Sequence, residues 1–162
     1  MLKKIYNKVT HEWDTSVEEA LKSFIRLPAL SPDFDKKWEE NGVLLKALED
    51  AQAWAEKQGI KGLRCEIIKD DGFTPCLFVE VDATSDKKFE RSVFFYGHLD
   101  KQPPNEGWDP DKSAWEPVIQ NGRLYGRGAV DDGYAFYTSL AAVKALQTLG
   151  TVSYTHLTLP TI

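Results

Sequence analysis

Two stretches near the amino end repeat apolar residues at helical spacing. Between Thr10 and Leu27, apolar side chains recur every third or fourth position among charged ones, and Pro28 ends the pattern. A second periodic stretch runs from Phe34 to Gly59, with Asn41-Gly42 inside it. The sequence therefore predicts two helices, and Asn41-Gly42 is the place where the second one would be interrupted.

The pattern then changes to that of strands. Residues 63–68 largely alternate apolar and polar side chains, a turn follows, and residues 76–81 read as a second strand. Residues 92–96 lack polar alternation, which favours a strand covered on both faces in a mostly parallel sheet. Residues 118–125 surround an Asn-Gly pair and predict a hairpin.

A third helical pattern runs from Gly133 to Leu149, with Asp131 or Asp132 available to cap it. Two helices, strands, a buried strand, a glycine-rich turn and a helix follow one another along the chain. This order predicts a three-layer α/β domain, in which helices flank a mixed, mostly parallel sheet.

Composition narrows the function classes. The chain has 162 residues, which suit one domain, and its 20 basic and 25 acidic residues give a net charge of −5. This balance argues against a nucleic-acid partner, because it supplies no basic face. The chain has only two cysteines and shows neither a signal peptide nor eighteen consecutive apolar residues. We therefore expect a cytoplasmic protein without a membrane span.

One segment departs from the rest in composition. Residues 151–162 contain four Thr and no Asp, Glu, Lys or Arg, and from about Val152 they resemble translated sequencing-adapter text. We expect residues 1–151 to be the authentic amino-terminal part of a longer catalytic domain. Residues 152–162 are then a non-native tail.

The first candidate site is His98-Leu99-Asp100, at the end of the predicted buried strand. Open α/β sheets bind ligands at this edge, and alternation in an extended chain points residues i and i+2 to one side. Asp100 can therefore hydrogen-bond the His98 ring and fix its tautomer. A His-x-Asp at a strand end is also common without any site.

The second candidate is the glycine-rich run from Gly126 to Gly133, which contains Asp131 and Asp132. A phosphate loop would need Lys-Ser/Thr, and two carboxylates would repel phosphate, so a nucleotide site is disfavoured. Two acids before a helix are usually caps. With His98 they offer zinc a nitrogen and an oxygen ligand, although zinc usually takes four ligands.

These residues together resemble a known family. Three segments resemble motifs of the zinc-dependent metallopeptidases in their residues and in their order along the chain. They are Val93 to Pro103, Gly107-Trp108 and Gly122 to Gly133. That family includes carnosine-type dipeptidases, aminoacylases and succinyl-diaminopimelate desuccinylase. The likeness covers most of residues 16–150.

The resemblance implies a role for each candidate residue. His98 would ligate one zinc, Asp131 would bridge two zincs, and Asp100 would serve catalysis by orienting His98 or the catalytic glutamate network. The peptide bond between Asp131 and Asp132 is often cis in such proteins. The resemblance further implies two Zn²⁺ ions per complete site, replaceable by Mn²⁺ or Co²⁺. A metal-activated water would attack an amide bond in a dipeptide or N-acyl amino acid, and the longer protein would be a homodimer.

The chain also departs from the family pattern. The Glu-Glu pair, which supplies the general base and a ligand, does not follow the third helical pattern, nor does the family's further acidic ligand or late histidine. We therefore expect this chain alone to be inactive and to bind zinc weakly. A non-catalytic peptide-binding module that keeps the fold is the alternative.

Overall fold

The computed structural model describes residues 2–83 and 92–150. Helices within these ranges are α1 (Leu2–Glu12), α2 (Glu18–Arg26), α3 (Trp38–Asn41), α4 (Val43–Glu56) and α5 (Tyr134–Thr148). The strands form two antiparallel pairs, β1 (Leu63–Ile68) with β2 (Cys76–Val81) and β3 (Val118–Gln120) with β4 (Arg123–Tyr125). The predicted α/β class is confirmed.

The first helical region begins at Leu2 rather than at Thr10. A wider π-type turn at Trp13–Val17 joins α1 to α2 without a break. Glu12 at the end of α1 is 3% exposed, and its carboxylate pairs with Lys144 of α5 at 2.6 Å. Because a charged pair holds α1 against α5, apolar spacing did not reveal this helix.

The predicted interruption of the second helical stretch is confirmed. Gly42 separates α3 from α4 with φ +68°, a left-handed conformation that glycine adopts at little cost. The Asn41 side chain accepts a hydrogen bond from the backbone N–H of Val43 at 2.9 Å and so helps to start α4.

The core lies between α2, α4, α5 and one face of the β1–β2 hairpin. On β2, alternate side chains are fully buried, as expected for a strand with one covered face. Fully buried members of the core include Leu21, Ile25, Ala51, Leu77, Val79, Val81, Leu99 and Leu140. The last-but-one of these, Leu99, anchors the segment that carries His98 and Asp100.

The hairpin predicted at residues 118–125 is confirmed. Asn121 and Gly122 form its two-residue turn, with φ values of +54° and +73°. These are the positive φ angles that a tight hairpin turn needs, and Asn and Gly tolerate them best.

The predicted strand at residues 92–96 is not formed, and this corrects the prediction of a covered strand. Val93, Phe94 and Tyr96 are 48%, 61% and 55% exposed. No strand of the described ranges pairs with them, and of this segment only Phe95 packs against the core. Over residues 2–83 and 92–150 the three-layer, mostly parallel sheet is likewise not seen, and a single parallel bridge joins Leu30 to Lys101.

Two further sequence predictions concern the domain boundary and membrane-spanning helices. The domain boundary between residues 151 and 152 lies outside them and stays a prediction. Within residues 2–83 and 92–150, no helix has the length and apolar character needed to cross a bilayer.

Candidate metal centre

The segment Gly97–Lys101 places the first candidate residues. Leu99 is fully buried, whereas His98 and Asp100 on either side of it are half-buried. His98 Nδ1 lies 3.1 Å from Asp100 Oδ1 and 3.1 Å from the Asp100 backbone oxygen. The i, i+2 relation inferred from an extended backbone thus brings the ring and the carboxylate together.

The structure also brings His98 and Asp131 together from 33 positions apart in the chain. His98 Nε2 lies 3.1 Å from Asp131 Oδ1, and the Asp131 side chain is 61% exposed. Two atoms bound to one tetrahedral zinc at about 2.0–2.2 Å are about 3.3–3.6 Å apart. The ring nitrogen and the carboxylate oxygen therefore lie close to the spacing of two ligands of one ion.

The Asp132 side chain contacts the backbone of His98. Its Oδ2 accepts a hydrogen bond from the His98 N–H at 3.3 Å. Neither Asp131 nor Asp132 caps α5, whose first residue follows Gly133 without a side-chain cap, so the capping prediction is wrong. The Asp132 carboxylate faces His98 instead, and the Asp131–Asp132 peptide bond is cis, as the family resemblance implied.

Charge around the imidazole favours its protonated form. Burial opposes the charge on the His98 ring, but the hydrogen bond to the Asp100 carbonyl and three nearby carboxylates outweigh it and raise its pKa. The carboxylates are those of Asp100, Asp132 and Asp131. Burial in turn raises the pKa of Asp132. These surroundings thus stabilise the positive charge of the protonated His98 ring.

Ser31, which the sequence reasoning missed, reaches this site from the loop after α2. Its hydroxyl donates to Asp100 Oδ2, the carboxylate oxygen that does not face His98. Its backbone N–H donates to the Lys101 carbonyl at 2.9 Å. Because 69 positions separate Ser31 from Asp100, no local pattern signalled this contact.

Lys101, also missed, fixes the site segment to the end of α2. Its side chain is 1% exposed, and Nζ donates to the carbonyls of Phe24 and Leu27 at 2.6 Å each. Nζ also lies 3.9 Å from the centre of the Phe24 ring, a cation–π contact. Carbonyls left free at a helix end accept such donors readily, so Lys101 caps α2 from inside the protein.

The glycine-rich run from Gly126 to Gly133 packs closely against the end of α2. A Cβ on Gly133 would lie 2.3 Å from Phe24 Cε1, and one on Gly128 would lie 2.7 Å from Lys101 Cε. Gly128 also has φ +87°. Larger residues at these positions would push Asp131 away from His98, which explains why glycines surround the two carboxylates.

The donor set at His98 and Asp131 agrees in kind with the metal that the family resemblance implies. An imidazole nitrogen and a carboxylate oxygen suit zinc in kind and in spacing. Across residues 2–83 and 92–150, however, no cluster of three or more His, Cys, Asp or Glu side chains is arranged to hold an ion. The described ranges thus bring together one imidazole and one carboxylate that fit zinc in kind, fewer than the four ligands that zinc usually takes.

Comparison with known proteins shows which proteins this chain resembles. Residues 94–159 match the model of peptidase family M20/M25/M40, a stretch that includes His98, Asp100 and Asp131. This chain is related to the M20 metallopeptidases. The resemblance drawn from its motifs is therefore confirmed.

Three M20 relatives show how far the similarity extends. The succinyl-diaminopimelate desuccinylase of Nitratiruptor sp. is 29% identical over 141 residues, which make up 85% of this chain and 32% of that enzyme. Human carnosine dipeptidase 1 superposes with a TM-score of 0.73 at 22% identity, covering 99% of this chain and 34% of that one. A metallo-carboxypeptidase of the M20 family from Sulfolobus solfataricus gives a TM-score of 0.66 at 22% identity, covering 87% of this chain and 29% of that one.

These similarities carry different weight. The two structural matches establish the fold, and the family match shows similarity to M20 peptidases over residues 94–159. The chain spans about a third of the length of these relatives.

Proposed function

We propose that this chain is the amino-terminal part of a zinc-dependent hydrolase that cleaves an amide bond in a dipeptide or N-acyl amino acid. The observation that carries the proposal is the placement of the His98 ring between Asp100 and Asp131, 3.1 Å from an oxygen of each. The kinship with M20 peptidases supports the reaction class.

In this proposal each side chain has one task. His98 Nε2 and Asp131 Oδ1 hold the metal, and Asp100 holds the Nδ1–H of His98 so that Nε2 keeps its lone pair for the metal. Asp132 fixes the His98 backbone. A bound zinc ion would supply Lewis acidity toward the amide carbonyl and toward water.

The rest of the site comes from outside the described ranges. The proposal includes two Zn²⁺ ions per complete site, with Mn²⁺ or Co²⁺ as replacements, and a homodimer in the cytoplasm. It also includes the mostly parallel sheet, in which residues 92–96 become a covered strand of the longer protein. Their exposed apolar side chains support this part of the proposal.

The chain alone is proposed to be inactive, with residues 152–162 as a non-native tail. Two donors give a weak zinc site, and the general base is missing. Without that base, the rate typically falls by about 10² to 10⁴.

The test compares this chain with a version extended along the reading frame of its source nucleic acid. Both are incubated with carnosine-like dipeptides and N-acyl amino acids in the presence of zinc. We expect turnover by the extended protein alone, abolished by a chelator and restored by zinc. His98→Gln and Asp131→Asn should remove it, whereas Asp33→Asn, at a side chain that is 92% exposed, should not.

Two outcomes would contradict the proposal. Chelator-sensitive turnover by the 162-residue chain would show that the missing donors and base are not needed. An extended protein that binds a peptide without cleaving it would instead support the non-catalytic binding module.

A further inference from the structure

Among the residues that the structure describes, the Asp100 carboxylate makes two side-chain contacts, one through each oxygen. Oδ1 lies 3.1 Å from His98 Nδ1, and Oδ2 accepts the hydroxyl hydrogen of Ser31. The terminal torsion of an aspartate is soft, so a single contact would leave the carboxylate plane free to turn. The second contact fixes that plane and keeps Oδ1 directed at the imidazole.

The Ser31 hydroxyl has one hydrogen and two acceptors within reach. The Lys101 carbonyl oxygen lies 3.3 Å from Ser31 Oγ, and Asp100 Oδ2 is closer. Hydrogen bonds to an ionised acceptor are stronger than those to a neutral one. The hydrogen is therefore given to Asp100, and the contact with Lys101 is secondary.

The position of Ser31 does not depend on its side chain. Its N–H donates to the Lys101 carbonyl at 2.9 Å, and the Lys101 N–H donates to the Ala29 carbonyl at 2.8 Å. These two backbone bonds hold the loop after α2 beside the site segment. Removing the hydroxyl should therefore release the carboxylate without moving the loop.

We propose that Ser31 is a positioning residue, which holds the Asp100 carboxylate so that His98 carries its hydrogen on Nδ1 and presents Nε2 toward Asp131. In a neutral imidazole, a hydrogen on Nδ1 leaves the lone pair on Nε2. The inference concerns the metal-free chain and deepens the proposed function, on which its consequence for zinc binding rests.

The first measurement is the tautomer of His98 in the metal-free chain, read from the two ring nitrogens by NMR at a pH where the ring is neutral. We expect the Nδ1–H form in the wild type, because Nδ1 faces two Asp100 oxygens at 3.1 Å whereas Nε2 faces one Asp131 oxygen at that distance, and a mixture of the two tautomers in Ser31→Ala. Ser31→Thr keeps the hydroxyl and should behave as the wild type. The control is Ser113→Ala, because Ser113 accepts from the Glu116 N–H away from the site.

The second measurement is the zinc affinity of the same proteins, followed by NMR titration. Loss of an outer-shell partner typically weakens metal binding by about 10- to 100-fold. Ser31 is one hydrogen bond further from the metal than Asp100. We therefore expect about a tenfold loss of zinc affinity, at the low end of that range, in Ser31→Ala alone. Thermal unfolding should stay unchanged, which separates positioning from a general loss of structure. If Ser31→Ala is unstable, Ser31→Cys gives the same comparison, with a similar volume and a weaker donor.

Several results would overturn the inference. One is a Ser31→Ala variant that keeps both the wild-type tautomer and the wild-type zinc affinity. Another is a wild-type chain in which His98 shows no preference for Nδ1–H. If the tautomer shifts as expected but none of the proteins binds zinc, the role of Ser31 stands and the proposed zinc chemistry fails.

Discussion

Residues 92–96 and 97–101 are consecutive parts of one segment with opposite environments. In the first part, Val93, Phe94 and Tyr96 are about half exposed or more, and no described strand pairs with them. In the second part, Leu99 and Lys101 are buried and the backbone is bonded to the loop after α2. The second part keeps its geometry without a β-ladder, because two backbone hydrogen bonds, the Lys101 side chain and the end of α2 hold it.

This difference shows which parts of the fold prepare the candidate site. The end of α2, Ser31 and the glycine-rich run all contact the second part, and all are present in this chain. The segment that carries His98 and Asp100 can therefore be ordered while the apolar side chains of residues 92–96 beside it are largely exposed.

The strongest way to break the ordered part is Gly133→Ala. The added Cβ would meet Phe24 Cε1 at 2.3 Å and the Gly128 carbonyl oxygen at 2.8 Å, and backbone cannot yield cheaply. Overpacking of this kind costs about 3 kcal/mol. Chemical denaturation should show this loss.

The matched control is Gly107→Ala, where a Cβ would meet nothing within 4 Å. Its φ of +83° still makes a side chain costly, by about 1 kcal/mol. Equal losses in the two variants would mean that the contact with Phe24 is not tight.

A smaller effect should come from pH acting on Lys101. Burial lowers the pKa of its ammonium group to about 7, from an ordinary 10.5. Between these two values the unfolded chain binds more protons than the folded chain, so the free energy of unfolding rises with pH. The carbonyls of Phe24 and Leu27 favour the charged form and reduce the effect.

We expect the wild type to gain about 1–2 kcal/mol between pH 7 and pH 9 relative to Lys101→Met. Urea unfolding of both proteins at several pH values measures this difference. Parallel curves for the two proteins would place the titration of Lys101 outside this window.

The smallest effect on stability should come from the exposed part. Phe94→Ser removes an apolar side chain that is 61% exposed, so the free energy of unfolding should change by less than about 0.5 kcal/mol. Aggregation at high concentration should decrease, because unpaired apolar segments associate readily. Light scattering measures the change, and a large loss of stability would show that Phe94 is packed in solution.

Local signals made much of the fold predictable. The β3–β4 hairpin follows from one Asn-Gly pair, and the separation of α3 from α4 follows from Gly42. In the site, spacing within one segment suggested the contact between His98 and Asp100. The approach of Asp131 to His98 was expected from the resemblance to the metallopeptidase motifs and not from strand ends, because the strand predicted before His98 is not formed.

Contacts between distant or charged residues were not predictable in the same way. Ser31 meets Asp100, and Lys101 meets Phe24, across 69 and 77 positions. No periodicity marks such pairs, and a lysine in a polar loop gives no sign of burial. The prediction of burial for residues 92–96 was wrong for another reason. Apolar side chains indicate that a segment is stabilised by burial, but they do not show whether a neighbouring element covers it.

The attachment of Lys101 to the end of α2 also has a consequence for the time course of synthesis. Phe24 emerges from the ribosome long before Lys101, which is 77 positions later in the chain. At about 5–20 residues per second, the interval lasts roughly 4 to 15 seconds. During this interval the carbonyls of Phe24 and Leu27 lack the Lys101 ammonium group, so the end of α2 gains this donor only after most of the chain has been made.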